Sequence, residues 1–291
     1  MHSLRNQRTI KTPASVEGVG YWSGRDIRVE FHPADINTGV VFVRTDLEPA
    51  VRLPALVGHR IEIPRRTALN VAGVQVEMVE HVMAALSGLQ IDNCEVRVTA
   101  AEMPGMDGSS ADFVAALDAA GIVEQPAWRP QLVVRETTRI GDDDSWIEVR
   151  PATHGGLSVR YRLDYGNDNA IGRQTFDMKI TPDSFRRELA PSRTFMLKAE
   201  ADWLLKQGLG TRVSPKELLI FDDQGPIDNQ LRYSDECVRH KVLDLVGDLA
   251  LAGCDIVGHV IAHRTGHRLN AEIVKILLAE GEIVEQRRRS A

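Results

Sequence analysis

Val79-Glu80-His81-Val82-Met83-Ala84-Ala85-Leu86-Ser87-Gly88 and Val238-Arg239-His240-Lys241-Val242-Leu243-Asp244-Leu245-Val246-Gly247 read as one motif written twice. Val, His, Leu and Gly coincide at four positions with a constant offset. Around the first copy, Val76, Val79, Val82, Met83, Leu86 and Leu89 recur at three- and four-residue steps, the period of an amphipathic helix. The second copy sits in a longer helical pattern from Asp235 to Ala252, closed by Gly253. After a short loop each helix is followed by a strand, Cys94 to Thr99 in one case and Asp255 to Ala262 in the other. A ten-residue match is short, but both copies sit in the same strand-rich, then helix-rich order. The fold class is therefore α+β, with two similar layered domains packed together.

Outward from the motif, Asp26 to His32 alternates apolar and polar residues, and Gly39 to Arg44 is a short β-branched run. Asn37-Thr38-Gly39 between them predicts a hairpin. Gly105 to Ser110 reads as a loop that enters a helix over 111–120, with Ser110 as N-cap and Gly121 as its stop. Pro126 to Pro130 reads as a linker. Beyond it, strands are expected over 131–138 and 146–150 around a Gly141 to Ser145 turn, then over 157–163 and 174–180. Helices are expected over 182–189, 199–207 and 270–278. The domains are placed at residues 1–126 and 131–282, followed by a basic tail at 283–291 containing Arg287-Arg288-Arg289.

Composition excludes several function classes. The 291 residues carry 35 Lys and Arg against 41 Asp and Glu, a formal charge of −6. That balance gives no electrostatic reason to bind a nucleic-acid backbone. No apolar run reaches the ~18 residues of a membrane span, and the first residues lack the apolar stretch of a secretory signal. Cys94, Cys237 and Cys254 are too few for a disulfide framework, and a reducing, cytoplasmic compartment is expected.

The second motif carries chemistry. His240, Asp244 and Asp248 stand four apart and share a helix face. A His and a carboxylate at this spacing can reach one metal ion; the same spacing also suits a solvated face with a His–Asp pair. The repeat places His81 where His240 stands. Two helices meeting across a pseudo-symmetric interface would join His81 to His240 and Asp244, a His₂Asp set with one position open. Glu80 is then a candidate general base, or an ordinary acid favoured at a helix start. His267, in the loop entering the last helix, can pair with Asp248 and act as general acid. Cys237, three residues before His240, is either a fourth ligand or a small buried residue. The remaining histidines, His2, His32, His59, His154, His259 and His263, read as structural.

These residues resemble the bacterial UDP-3-O-acyl-N-acetylglucosamine deacetylases, the zinc amidases of lipid A biosynthesis, over roughly residues 5 to 280. Besides the two helical motifs, the resemblance rests on Gly266-His267-Arg268-Leu269-Asn270, Asn37-Thr38-Gly39-Val40, Met106-Asp107-Gly108-Ser109 and Arg193-Thr194-Phe195. It implies two pseudo-duplicated two-layer α/β sandwich domains packed face to face, with the site between them. It implies Zn²⁺, or Fe²⁺ in its place, held by His81, His240 and Asp244. Glu80 would be the base that activates water, and His267, oriented by Asp248, would protonate the leaving amine. Thr194 would stabilise the oxyanion. Lys241 would hold the diphosphate and the developing charge, while Phe195 would line the substrate site and Tyr165 would either pack against the uracil ring or be a plain strand-end tyrosine. The implied partner is a small amphiphilic UDP-acyl-amino sugar. The sequence does not fix an oligomeric state, and a monomer is compatible with it.

Four positions depart from the family pattern: Gly210 to Pro215 replaces a Gly-Gly-Ser segment, Tyr21-Trp22 replaces Leu-His, Met78 replaces a Thr, and Ser145 replaces a basic residue. None removes a ligand or an acid–base group. They keep open two alternatives, a related zinc amidase acting on another acylated amino sugar and a non-catalytic paralog that binds such a ligand.

Overall fold

The structure is a computed structural model and describes residues 4–153 and 155–285. His2, His154 and the Arg287 to Arg289 tail lie outside the described residues. The first half is built on a five-stranded sheet in the order Ala14–Val19, Asp26–Pro33, Cys94–Val98, Val40–Arg44, Val51–Pro54. Successive neighbours run antiparallel, antiparallel, parallel and antiparallel. In the second half, Thr138–Gly141, Trp146–Arg150, Asp255–His263, Leu157–Asp164 and Arg173–Lys179 stand in the same order with the same senses. Gln131–Val133 and Glu282–Val284 extend this second sheet beside the start of Asp255–His263. The class is α+β, and the duplication of strand order reaches well beyond the helical motif. The repeated helices are Glu80–Gly88 and Glu236–Leu249, accompanied by Ala111–Ala120 and His267–Glu280. Buried apolar residues of both halves join in one continuous core. Among the described residues no helix is long and apolar enough to cross a membrane.

Local sequence explains many of these elements. In Asp26–Pro33, Ile27, Val29 and Phe31 are buried, while Asp26 and Arg28 face solvent. Gly253 closes the long second-half helix in the left-handed region (φ 69°), after a short 3₁₀ turn, Ala250–Ala252.

Several expectations fail, each for a physical reason. The hairpin between Asp26–Pro33 and Val40–Arg44 does not form, because Cys94–Val98 inserts between them and bonds to both. The turn at Asn37 to Gly39 is present, with φ 64° and 70° at its ends, but it feeds a crossover. The first-half helix starts at Glu80, not near Val76. Val74–Glu77 is a strand whose Val76 falls in phase with the helix by chance, and Met78, at φ 59°, breaks the chain between them. The last helix starts earlier than expected, so His267 is its first residue, not part of a loop. Residues 182–189 are one α turn continued by a π turn, Phe185–Leu189. The Pro126 to Pro130 linker is in large part strand: Ile122–Trp128 pairs antiparallel with Asn6–Ile10, and a two-stranded edge tolerates a proline that lacks its N–H.

Two small sheets have no counterpart among the strands expected from sequence. Arg60–Ile63, Arg66–Val71 and Val74–Glu77 form an antiparallel sheet in the first half. Phe195–Leu197, Leu219–Asp222 and Gly225–Pro226 form a mixed sheet in the second, the first pair parallel and the second antiparallel. Each delivers a residue to the site.

Candidate active site

The two repeated helices pack against each other unusually closely, and Gly247 permits it. A Cβ at Gly247 would stand 2.1 Å from the Glu80 carbonyl oxygen and 3.2 Å from the Ala84 nitrogen. No side chain fits there, so the first turn of one helix lies on the backbone of the other. This brings together His81, His240 and Asp244, whose ligand atoms all lie within 4.8 Å of one another. His81 Nε2 is 3.5 Å and His240 Nε2 is 3.3 Å from Asp244 Oδ1. The two imidazoles meet edge to face, with centroids 5.0 Å apart. His240 Nδ1 stands 3.0 Å from the Ser192 carbonyl oxygen. That carbonyl is met by Nδ1–H as donor, so Nε2 is the ring nitrogen turned to the cluster. Burial opposes the charge on Asp244, yet the His240 ring and the Lys241 ammonium hold its carboxyl well below the usual range. The Lys241 ammonium donates to Asp244 Oδ2 at 2.7 Å.

Glu80 and Asp248 flank this cluster, both almost fully buried. Glu80 accepts the Thr67 backbone N–H through Oε2 at 3.0 Å. Burial raises its carboxyl, against the pull of His267 and His81. Asp248 accepts from three sides: the Thr67 hydroxyl at 2.5 Å, the Asn270 amide at 2.8 Å and His267 Nδ1 at 2.8 Å. Burial alone would keep His267 neutral, but the Asp248 carboxylate beside it raises the imidazole to about 9. His267 is therefore held as imidazolium at neutral pH. Ser110 stands at the N-cap position of Ala111–Ala120, but its hydroxyl donates to the His81 carbonyl at 2.9 Å rather than capping that helix.

The remaining candidates surround His240. Phe195 meets the His240 ring edge to face at 6.4 Å, and Tyr165 meets Phe195 at 6.0 Å. Lys241 Nζ lies 5.9 Å from the Phe195 ring centre. Thr194 lies between Arg193 and Phe195, its backbone N–H bonded to the Gly108 carbonyl at 2.7 Å. The whole Ser192 to Thr194 segment is anchored by a buried ion pair. Glu236 accepts the Arg193 backbone N–H at 3.0 Å and its guanidinium at 2.8 and 3.1 Å. Cys237 is fully buried, its thiol pushed up to about 12 by burial, and it stands outside the ligand cluster. His32 pairs with Glu30 and His259 with Ser158, both away from that cluster.

Thr67, Asn270, Ser192 and the Arg193–Glu236 pair join the site only through the structure. Thr67 and Ser192 act partly through backbone groups, which leave no signature in residue type. Asn270 closes the Gly266 to Asn270 motif, but residue type alone does not aim its amide at Asp248.

The departures from the family pattern are partly linked in space. The Tyr21 hydroxyl donates to the Glu217 carbonyl at 2.8 Å, and the Arg212 guanidinium donates to the Gly24 carbonyl at 2.8 Å. The Tyr21 to Gly24 turn and the Gly210 to Glu217 loop thus hold each other across the two halves. Trp22 carries the Arg66 guanidinium 4.3 Å above its ring, and the Ser145 hydroxyl donates to the Arg264 carbonyl at 3.0 Å.

The profile of the UDP-3-O-acyl N-acetylglycosamine deacetylases matches residues 7–279. A UDP-3-O-acyl-N-acetylglucosamine deacetylase of Myxococcus xanthus (strain DK1622) is 38% identical over 291 residues, 99% of this chain and 92% of that protein. The proteins of the same name from Shewanella sediminis (strain HAW-EB3) and Shewanella woodyi (strain ATCC 51908 / MS32) are each 39% identical over 282 residues, 96% of this chain and 92% of theirs.

Proposed function

The chain belongs to the UDP-3-O-acyl-N-acetylglucosamine deacetylase family, and on that premise we propose that it hydrolyses the acetamide of a UDP-linked 3-O-acyl-N-acetylglucosamine. Water adds to the amide carbonyl, the C–N bond breaks, and acetate and the free sugar amine leave, an early step of lipid A biosynthesis. The observation that carries this reading is the convergence of His81, His240 and Asp244 from two helices, with Glu80 beside one and the Asp248–His267 pair one turn beyond the other.

Two imidazole nitrogens and one carboxylate, buried and with the His240 tautomer set by Ser192, fit Zn²⁺ and equally Fe²⁺. Such an ion, when bound, supplies Lewis acidity toward the carbonyl oxygen and makes water easier to deprotonate. Glu80 takes the proton from the attacking water; its burial favours the protonated form and so makes it a willing acceptor. His267 starts as imidazolium and gives its proton to the departing nitrogen. Asp248 keeps that imidazolium charged and aimed. Thr194 faces the developing oxyanion, and Lys241, its charge sustained by Asp244, meets the diphosphate. Tyr165 and Phe195 offer the aromatic surface for the nucleoside side of the substrate. The 1–126 and 131–282 halves act as two domains that each supply part of the site. A cytoplasmic location is supported by three free, buried cysteines.

The test is Glu80→Ala. Turnover of UDP-3-O-acyl-N-acetylglucosamine should fall by at least ~10²-fold with bound metal unchanged. Full retained activity would remove Glu80 from the base role. His81→Ala should lose the metal itself.

A further inference from the structure

Thr67 contributes two separate donors, and they serve two different carboxylates. Its backbone N–H donates to Glu80 Oε2 at 3.0 Å, and its hydroxyl donates to Asp248 Oδ1 at 2.5 Å. The residue is fully buried. It sits on the Arg66–Val71 strand of the small sheet, outside both repeated helices. The close approach at Gly247 sets Glu80 and Asp248 side by side, and Thr67 bridges them. With the Thr67 hydroxyl on Oδ1, the other carboxylate oxygen of Asp248 is left to His267 and Asn270.

We propose that Thr67 is a positioning residue for proton transfer: its hydroxyl fixes the Asp248 carboxylate so that Oδ2 faces His267, while its backbone amide fixes Glu80 in the same frame. This rests on the deacetylase reading for the roles of Glu80 and His267. Thr67 touches neither the ligand cluster nor, on this reading, the substrate. A short hydrogen bond to a charged acceptor in a dry interior has a strong directional preference. Without it, the Asp248 carboxylate can rotate about its last torsion, and His267 follows.

The experiment compares Thr67→Val with Thr67→Ser in the full chain loaded with zinc. Valine has nearly the same shape and keeps the backbone N–H, so it removes the hydroxyl alone. Thr67→Val should lower kcat about tenfold or more, the size expected for one charge-assisted hydrogen bond, with KM within about twofold. Metal content should stay at the wild-type level, and Thr67→Ser should recover most of the loss. A merely structural role would appear as a lowered Tm without a kcat-specific loss. The second readout is the His267 Nδ1–H proton resonance, which should move in Thr67→Val and stay near its wild-type position in Thr67→Ser. Unchanged kcat together with an unmoved resonance in Thr67→Val would overturn the proposal, as would a loss that serine does not restore. The resonance decides the matter even if the wild-type protein fails to turn over this substrate, which would count against the deacetylase reading alone.

Discussion

His267 and Asp248 set the proton inventory of the site. A group whose pKa is raised on folding stabilises the fold while it is protonated. His267 rises from an ordinary value near 6.5 to about 9. Its contribution is therefore complete below about pH 6.5 and is lost as pH rises through about 9. In the proposed mechanism the same deprotonation removes the acid for the leaving amine, so kcat/KM should fall on the alkaline side near that value. In Asp248→Asn the alkaline limb should move down toward the ordinary imidazole value, and a pH–rate profile checks it; a limb that stays in place would show that another group sets it. Cys237→Ala should leave metal content unchanged and cost about 1 kcal/mol of stability for a small buried cavity, read by urea unfolding. The ligand candidates were legible in sequence because His240 and Asp244 share a helix face and the repeat pointed to His81. The partners that hold them in place were not. Thr67 and Asp248 lie far apart in sequence, and nothing local in an Arg-Thr-Ala-Leu strand announces a hydroxyl bound for a distant carboxylate.

The helix pair is the element on which the site depends. Gly247 in one helix sits on the Glu80 carbonyl of the other, too close for any Cβ. Gly247→Ala should therefore force the helices apart, lower stability by about 2 kcal/mol and weaken metal binding, since His81 and His240 come from opposite sides of that contact. Thermal unfolding and metal analysis on the same sample check this; a variant with wild-type Tm and full metal content would show that the contact relaxes harmlessly. Helix positions were readable from period and from stops such as Gly253. The start of the Glu80–Gly88 helix was not, because Val76 belongs to a strand in phase with it and Met78 makes its turn without a glycine. The strand neighbours were not readable either. Asp26–Pro33 and Val40–Arg44 adjoin in sequence across a genuine turn, but the strand between them arrives some fifty residues later.

At the scale of the whole molecule, the two halves repeat one order of five strands, and each supplies a helix to the ligand cluster. Arg5 fastens them far from the chemistry. Its guanidinium binds Asp92 of the first half at 2.7 Å and Asp255 of the second at 2.8 Å, while Arg129 reaches both. Asp92 is almost fully buried. Arg5→Ala should leave it short of a cation and cost about 3 kcal/mol, the range for breaking a buried ion pair. Denaturant titration checks this, and a loss below the scatter of the method would show that Arg129 suffices. The duplication was visible in sequence only where the helices carry chemistry, since the paired strands share no residue pattern beyond alternation.

The proposed deacetylase holds one metal between residues of both halves and removes the acetyl group there. This is tested most directly by measuring acetate release from UDP-3-O-acyl-N-acetylglucosamine and bound metal on one purified sample, before and after chelation and after return of Zn²⁺. The expected result is about one metal per chain, release that stops on chelation, and release that returns with zinc. Undiminished release from metal-free protein would contradict it.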